Sequence, residues 1–167
     1  MTRPTIHDGE PYRYLNSFID SERSASDMIR LKLFPNVKEI TESMGALRAA
    51  TNALGGDRSR ARWDCWSIDP ALGDKARWLE LERVRLCRTF SQNVPIPAFA
   101  GVTVVLAVHS HAPLREFWLR VGAPKLCVAI PCCVHDWRDM PSADEDYDDQ
   151  AILSKCRRVM VWKDGAS

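Results

Sequence analysis

Two apolar runs, Val102–Val108 and Leu126–Ile130, constrain the fold of this chain more than any other feature, because one short helical segment, Pro113–Val121, lies between them. β-Branched residues dominate the first run, which predicts a strand, and proline in the first turn of the middle segment suits a helix. Strands that alternate with helices imply a parallel sheet covered on both faces. The predicted fold class is therefore α/β, a Rossmann-like three-layer sandwich with a mostly parallel sheet. Each run ends in polar residues: His109-Ser110-His111 after the first, and Pro131-Cys132-Cys133-Val134-His135 after the second. In open α/β sheets ligands bind outside the carboxyl ends of the strands, so these two ends mark the candidate site.

The alternation extends in both directions. Met28, Ile29, Leu31 and Leu33 form a helical stripe within Ser24–Phe34, so residues 1–34 are expected to be a helical lead-in to a core of residues 35–167. Pro35-Asn36 breaks that helix, Val37–Ile40 suggests a strand, Gly45 a turn, and Ala46–Leu54 a helix that Gly55-Gly56-Asp57 ends. Trp63–Ile68 is predicted as a strand that stops at Asp69-Pro70, since proline cannot continue a central ladder. A short helix at Ala76–Leu81 and strands at Arg83–Phe90 and Arg158–Trp162 complete the pattern. Asp144, Glu145, Asp146, Asp148 and Asp149 are expected to form an acidic loop before the last strand. No internal repeat and no linker divides the chain, which is expected to be a single domain over 1–167.

A chain of 167 residues with 46% hydrophobic content is about one domain long and sufficient for a real core. Its net charge of +1 predicts no strong overall electrostatic partner. Arg58, Arg60, Arg62, Arg77, Arg83, Arg85 and Arg88 nevertheless crowd the middle, as a solvated surface of both signs or as an RNA-binding face. The first residues lack the apolar core of a signal peptide, and no segment is long enough to span a membrane. The six cysteines are accordingly expected to be reduced thiols in an intracellular, reducing compartment such as the cytoplasm, with no membrane partner. Cys65, Cys87 and Cys127 suit small core positions. Most of the six tryptophans suit the core as well, while Trp137, just past the cysteine pair, suits either the core or stacking on a base.

The stretch Val37-Lys38-Glu39-Ile40-Thr41-Glu42-Ser43-Met44-Gly45-Ala46 resembles the first motif of S-adenosylmethionine-dependent methyltransferases, in which a strand ends in an acidic residue and enters a Gly-x-Gly-x-Gly turn. Thr41 and Ser43 stand at the first two glycine positions and only Gly45 is retained. Asp69, at the end of the second strand, matches the acidic residue that binds the cofactor ribose, where a carboxylate accepts from both hydroxyls. The fourth-strand motif falls at Val108-His109-Ser110-His111 and the fifth at Ile130-Pro131-Cys132-Cys133. A histidine after the fourth strand and Pro-Cys-Cys after the fifth are similar to a branch that includes tRNA ribose 2′-O-methyltransferase relatives. The resemblance spans roughly Val37 to Trp137, and it offers no counterpart of a catalytic lysine. The segments for the last antiparallel strands of a full methyltransferase sheet are not obvious.

The resemblance implies an S-adenosylmethionine-dependent methyltransferase acting on RNA, with Glu39, Thr41, Ser43, Gly45, Asp69 and Ser110 on the cofactor side. His109, His111, Cys132 and Cys133 are then the catalytic candidates on the acceptor side. Methyl transfer asks chiefly for in-line positioning, and a histidine at this edge, His109, His111 or His135, would accept the proton of a hydroxyl acceptor or simply bond a backbone carbonyl. The alternative is a catalytically inactive scaffold or RNA-binding subunit of a larger complex, which the lost glycines favour. A third alternative is a zinc- or cysteine-dependent enzyme. Adjacent cysteines on an extended chain point to opposite sides, which makes sharing one zinc ion awkward and leaves a pocket wall or a reactive thiol.

Overall fold

A computed structural model describes residues 5–6, 12–21, 25–56, 63–71, 84–96, 101–132 and 137–165. The chain is α/β, with two sheets. Strands β1 (Thr5–Ile6), β4 (Thr103–Val108), β5 (Lys125–Ile130), β6 (Glu145–Asp149) and β7 (Arg158–Asp164) form a five-stranded sheet in the order β1-β6-β7-β5-β4. Strands β2 (Cys65–Ile68) and β3 (Val84–Cys87) pair in parallel as a separate two-stranded sheet. The helices are α1 (Arg13–Ser21), α2 (Ala25–Arg30), α3 (Val37–Ala53) and α4 (Leu114–Arg120).

The larger sheet is mixed, not mostly parallel. The β4–β5 and β1–β6 pairs are parallel, whereas β7 runs antiparallel to both β5 and β6. Every residue of β5 is buried, because the strand lies inside the sheet and both of its faces are covered. Leu126, Val128 and Ile130 pack with Ala46, Ala49, Ala50 and Ala53 of α3, while the alternate residues Cys127 and Ala129 pack with Leu114 and Trp118 of α4. Fully burying a side chain of this size contributes about 1.5 to 3 kcal/mol, so β5 is the centre of the fold. Buried Lys125 closes the end of α4: its ammonium donates to the carbonyls of Trp118 and Val121 at 2.8 and 2.9 Å.

The segment Val37–Ile40 is not a strand. It is the first turn of α3, and the reason is local: Asn36 is extended and its side chain accepts from the Glu39 amide at 3.1 Å, capping the helix. A seventeen-residue helix follows, with Ile40, Gly45, Ala46, Ala49, Ala50 and Ala53 buried along one side. Gly55 and Gly56, both at positive φ, end it as the sequence predicts. The Gly56 amide bonds the Thr51 carbonyl at 2.9 Å and the Gly55 amide that of Asn52 at 3.1 Å, a pairing that only left-handed residues accept readily.

The expected acidic loop is also a correction, since Glu145–Asp149 is strand β6. Its charges are matched across the ladder. Arg158 on β7 holds both oxygens of Asp146, at 2.8 and 2.6 Å, and Lys163 reaches Glu145 at 2.9 Å. Asp149 points inward and receives Arg13 at 2.5 Å, the Tyr14 hydroxyl, and the Ala151 amide at 3.0 Å. This contact ties α1 to the end of β6. Strand β7 covers the expected strand Arg158–Trp162 and lies antiparallel between β5 and β6. The expected helix at Ala76–Leu81 lies outside the described residues.

Candidate functional site

Strands β4 and β5 are in register with Val108 opposite Ile130, so the residues that follow them emerge at one edge of the sheet. His109 is the first residue past β4. Its amide bonds the Ile130 carbonyl at 3.0 Å, and its φ of +49° lies in the left-handed region that non-glycine residues rarely occupy. Such strain persists only where surrounding contacts over-determine it, and it clusters at functional sites. Here the strained backbone turns the imidazole toward α3, where Nε2 lies 2.6 Å from Oε1 of Glu42.

Glu42 is wholly buried, and among the described residues neither of its oxygens nor Nε2 of His109 makes a hydrogen bond, so the 2.6 Å approach is an ion-pair contact. Lys38, one turn earlier on α3, approaches Oε1 at 3.3 Å. Thr41 fixes the wall beside them: its hydroxyl donates to the Lys38 carbonyl at 2.9 Å and accepts from the Leu153 amide at 3.0 Å. The loop from Gln150 to Arg157 is thereby held against the first turns of α3. Between them opens a cleft of about 980 Å³, lined by Lys38, His109, Cys132, Lys155, Cys156 and Arg157.

Cys132 and two histidines meet at this cleft. The Cys132 sulfur lies 3.6 Å from Nε2 of exposed His111, and His109 lines the same cleft as Cys132. Burial by itself would lower the pKa of His109, but the interactions with Cys132 and Glu42 and the charge of Glu42 outweigh it, and the value is raised above the ordinary 6.5. A histidine so placed holds a proton more readily than an exposed one.

The cofactor-side candidates do not gather here as a glycine turn. Glu39, Thr41, Ser43 and Gly45 lie on α3, with Glu39 engaged at the helix cap and Thr41 buried. A Cβ on Gly45 would sit 2.8 Å from Cδ1 of Ile152 and 3.4 Å from the Tyr14 ring, so this glycine admits the close approach of a side chain inside the core. No loop remains there in which backbone amides could approach a cofactor, and these residues do not fit S-adenosylmethionine in the manner the resemblance implies. Asp69 is exposed after β2, in the smaller sheet, with its Oδ1 taken by the Ala71 amide at 2.7 Å. Ser110 is turned away from the cleft toward a small recess with Ala107, Pro131 and Trp137.

Trp137 packs against the cluster around α4 with the Arg158 guanidinium 4.5 Å from its ring centre, the core reading in part. Cys127 is a core thiol whose pKa burial pushes up to about 12, but Cys65, expected inside, is exposed. Arg85 reaches Asp64 at 3.2 Å and lies over Trp66, while Arg58, Arg60, Arg62, Arg77 and Arg83 lie outside the described residues, as do Cys133 and His135. Among the described residues no three His, Cys, Asp or Glu side chains are grouped to hold a metal ion, and no helix is long and apolar enough to cross a membrane.

Sequence reasoning placed His109, His111 and Cys132 at this edge and missed Glu42. The signal available was Lys38 and Glu42 at i and i+4, a spacing visible only once the segment is taken as helix. No family model matches the chain, and no curated protein or solved structure matches it.

Proposed function

We propose that this chain is a Rossmann-like, methyltransferase-like domain that keeps the acceptor side of such a site without the turn that holds S-adenosylmethionine, and that it serves as an RNA-binding subunit or scaffold. The methyltransferase likeness is supported by the parallel pair β4–β5 followed by antiparallel β7, and by His109 and Cys132 at the ends of those strands. The single observation that carries the loss of the cofactor is helix α3, which runs unbroken through Val37–Ala53 with Gly45 packed against Ile152. RNA is favoured as the ligand by Lys38, Lys155 and Arg157 around the cleft, since cations arranged along a groove recognise phosphates.

Calorimetric titration with S-adenosylmethionine and S-adenosylhomocysteine tests the reading directly. We expect no binding of either up to about 1 mM, where the affinity is only about 4 kcal/mol. Micromolar binding would overturn it and favour an active methyltransferase. RNA binding is read separately from the salt dependence of a labelled single strand, and an affinity unchanged between low and high salt would exclude the phosphate contacts.

A further inference from the structure

We propose that Cys132 is a nucleophilic thiol, with His109 as the base beside it and Glu42 as the buried carboxylate that orients the base, and that it reacts with carbon electrophiles carrying an anionic group. This goes beyond the RNA-binding reading and needs no methyl donor. The general signature of an activated nucleophile is a base within hydrogen-bond reach whose orientation is set by a third group. Cys132 and His109 line one cleft at the adjacent ends of β5 and β4, and Glu42 on the first turns of α3 contacts His109.

Two features set the arrangement apart from a chance contact. His109 holds a left-handed backbone, φ +49°, which costs energy unless the contacts of its side chain and amide repay it. Glu42 is wholly buried, and among the described residues its ion-pair contacts are His109 at 2.6 Å and Lys38 at 3.3 Å, with neither oxygen hydrogen-bonded. A carboxylate is costly to bury in this way, and its negative charge beside the imidazole favours the protonated ring and, with it, the thiolate.

The charge around the thiol selects the partner. Lys38 faces the pair from α3, His111 from the turn after β4, and Lys155 and Arg157 from the loop before β7. Among the described residues Lys155 and Arg157 make no ion pair, although Asp148 lines the recess beside them. The mouth is cationic, so an electrophile bearing a carboxylate or phosphate is drawn to the sulfur.

Iodoacetate and its neutral analogue iodoacetamide probe both parts. The sulfur attacks the methylene carbon, the carbon–sulfur bond forms as carbon–iodine breaks, iodide leaves, and the thiol proton remains on His109. The full chain is treated at pH 6.5, and carboxymethylation of each cysteine is followed by tandem mass spectrometry, with a Cys133→Ser background to isolate Cys132. We expect Cys132 to react at least about tenfold faster than Cys87 and Cys156, and iodoacetate to react as fast as iodoacetamide or faster. The Lys155→Ala, Arg157→Ala pair should slow iodoacetate more than iodoacetamide and so remove the preference for the anion.

His109→Asn and Glu42→Gln should each slow Cys132 about tenfold or more at pH 6.5, and the difference should close at pH 9.5, where the thiol ionises without help. Should either variant fail to fold, the comparison of Cys132 with Cys87 and Cys156 in the parent chain decides alone. Equal rates at the three cysteines overturn the proposal. So does a loss of reactivity in His111→Ala with none in His109→Asn.

Discussion

Glu42, with no exposed surface on α3, contacts His109 at the end of β4 at 2.6 Å, and this joins the helix to the sheet edge at the floor of the cleft. The contact has a thermodynamic consequence. The folded pKa of His109 is raised above 6.5, so the stability it contributes is fully present below pH 6.5 and is lost as the pH rises through the folded value. Unfolding free energies measured from pH 5.5 to 8.5 should therefore fall with pH by at most about 1.4 kcal/mol per unit from this group. In Glu42→Gln the dependence should flatten and the His109 ring signals should titrate at lower pH. A parent profile that rises over this interval would contradict the pairing.

Gly45 distinguishes a core glycine from a cofactor glycine. Its Cβ position is 2.8 Å from Ile152 Cδ1, so Gly45→Val overpacks the junction of α1, α3 and the 150–157 loop. Overpacking costs about 1 to 3 kcal/mol, more than the few tenths that valine gains over glycine in a helix. We expect a lower melting temperature with RNA binding intact. A variant of unchanged stability that loses a ligand would return Gly45 to a binding role.

Asp149 anchors the N-terminal helices. It is buried and accepts from Arg13, Tyr14 and Ala151, so Asp149→Ala removes the carboxylate that these three donors share. Breaking a buried ion pair costs about 3 to 5 kcal/mol, and Tyr14→Phe, which removes one donor to a charged acceptor, about 1.5 to 3 kcal/mol. In the double variant the Tyr14 loss should shrink to a fraction, because the partner is gone. Additive losses would show that the two side chains act separately.

The cleft cations and the paired arginine should separate in RNA binding. Replacing Lys155 and Arg157 by alanine should reduce the slope of log affinity against log salt by about 1.4, the value for two phosphate contacts on a single strand. Arg85→Ala should leave the slope unchanged, since Arg85 lies against Asp64 at 3.2 Å and Trp66. The opposite outcome would move the RNA surface to the smaller sheet.

The strands β4, β5 and β7, helix α4 and the stop at Gly55-Gly56 were determined by the sequence alone, because their signals are local: β-branched runs, a proline at a helix start, and glycines at positive φ. Local signals also brought His109 and Cys132 to one edge, since parallel strands joined by a helix leave their ends together. Val37–Ile40 misled because valine and isoleucine favour strands, while the Asn36 cap and the alanines that follow favour helix, and packing of those alanines on β5 decides. Only tertiary structure decided that five acidic residues would lie on and beside a strand, since the partners that neutralise Asp146 and Glu145 are on β7 and the partner of Asp149 is on α1. It also decided the site. Glu42 is one carboxylate among many until α3 packs on the sheet, buries it completely and sets it beside His109, because burial and proximity depend on which surfaces meet.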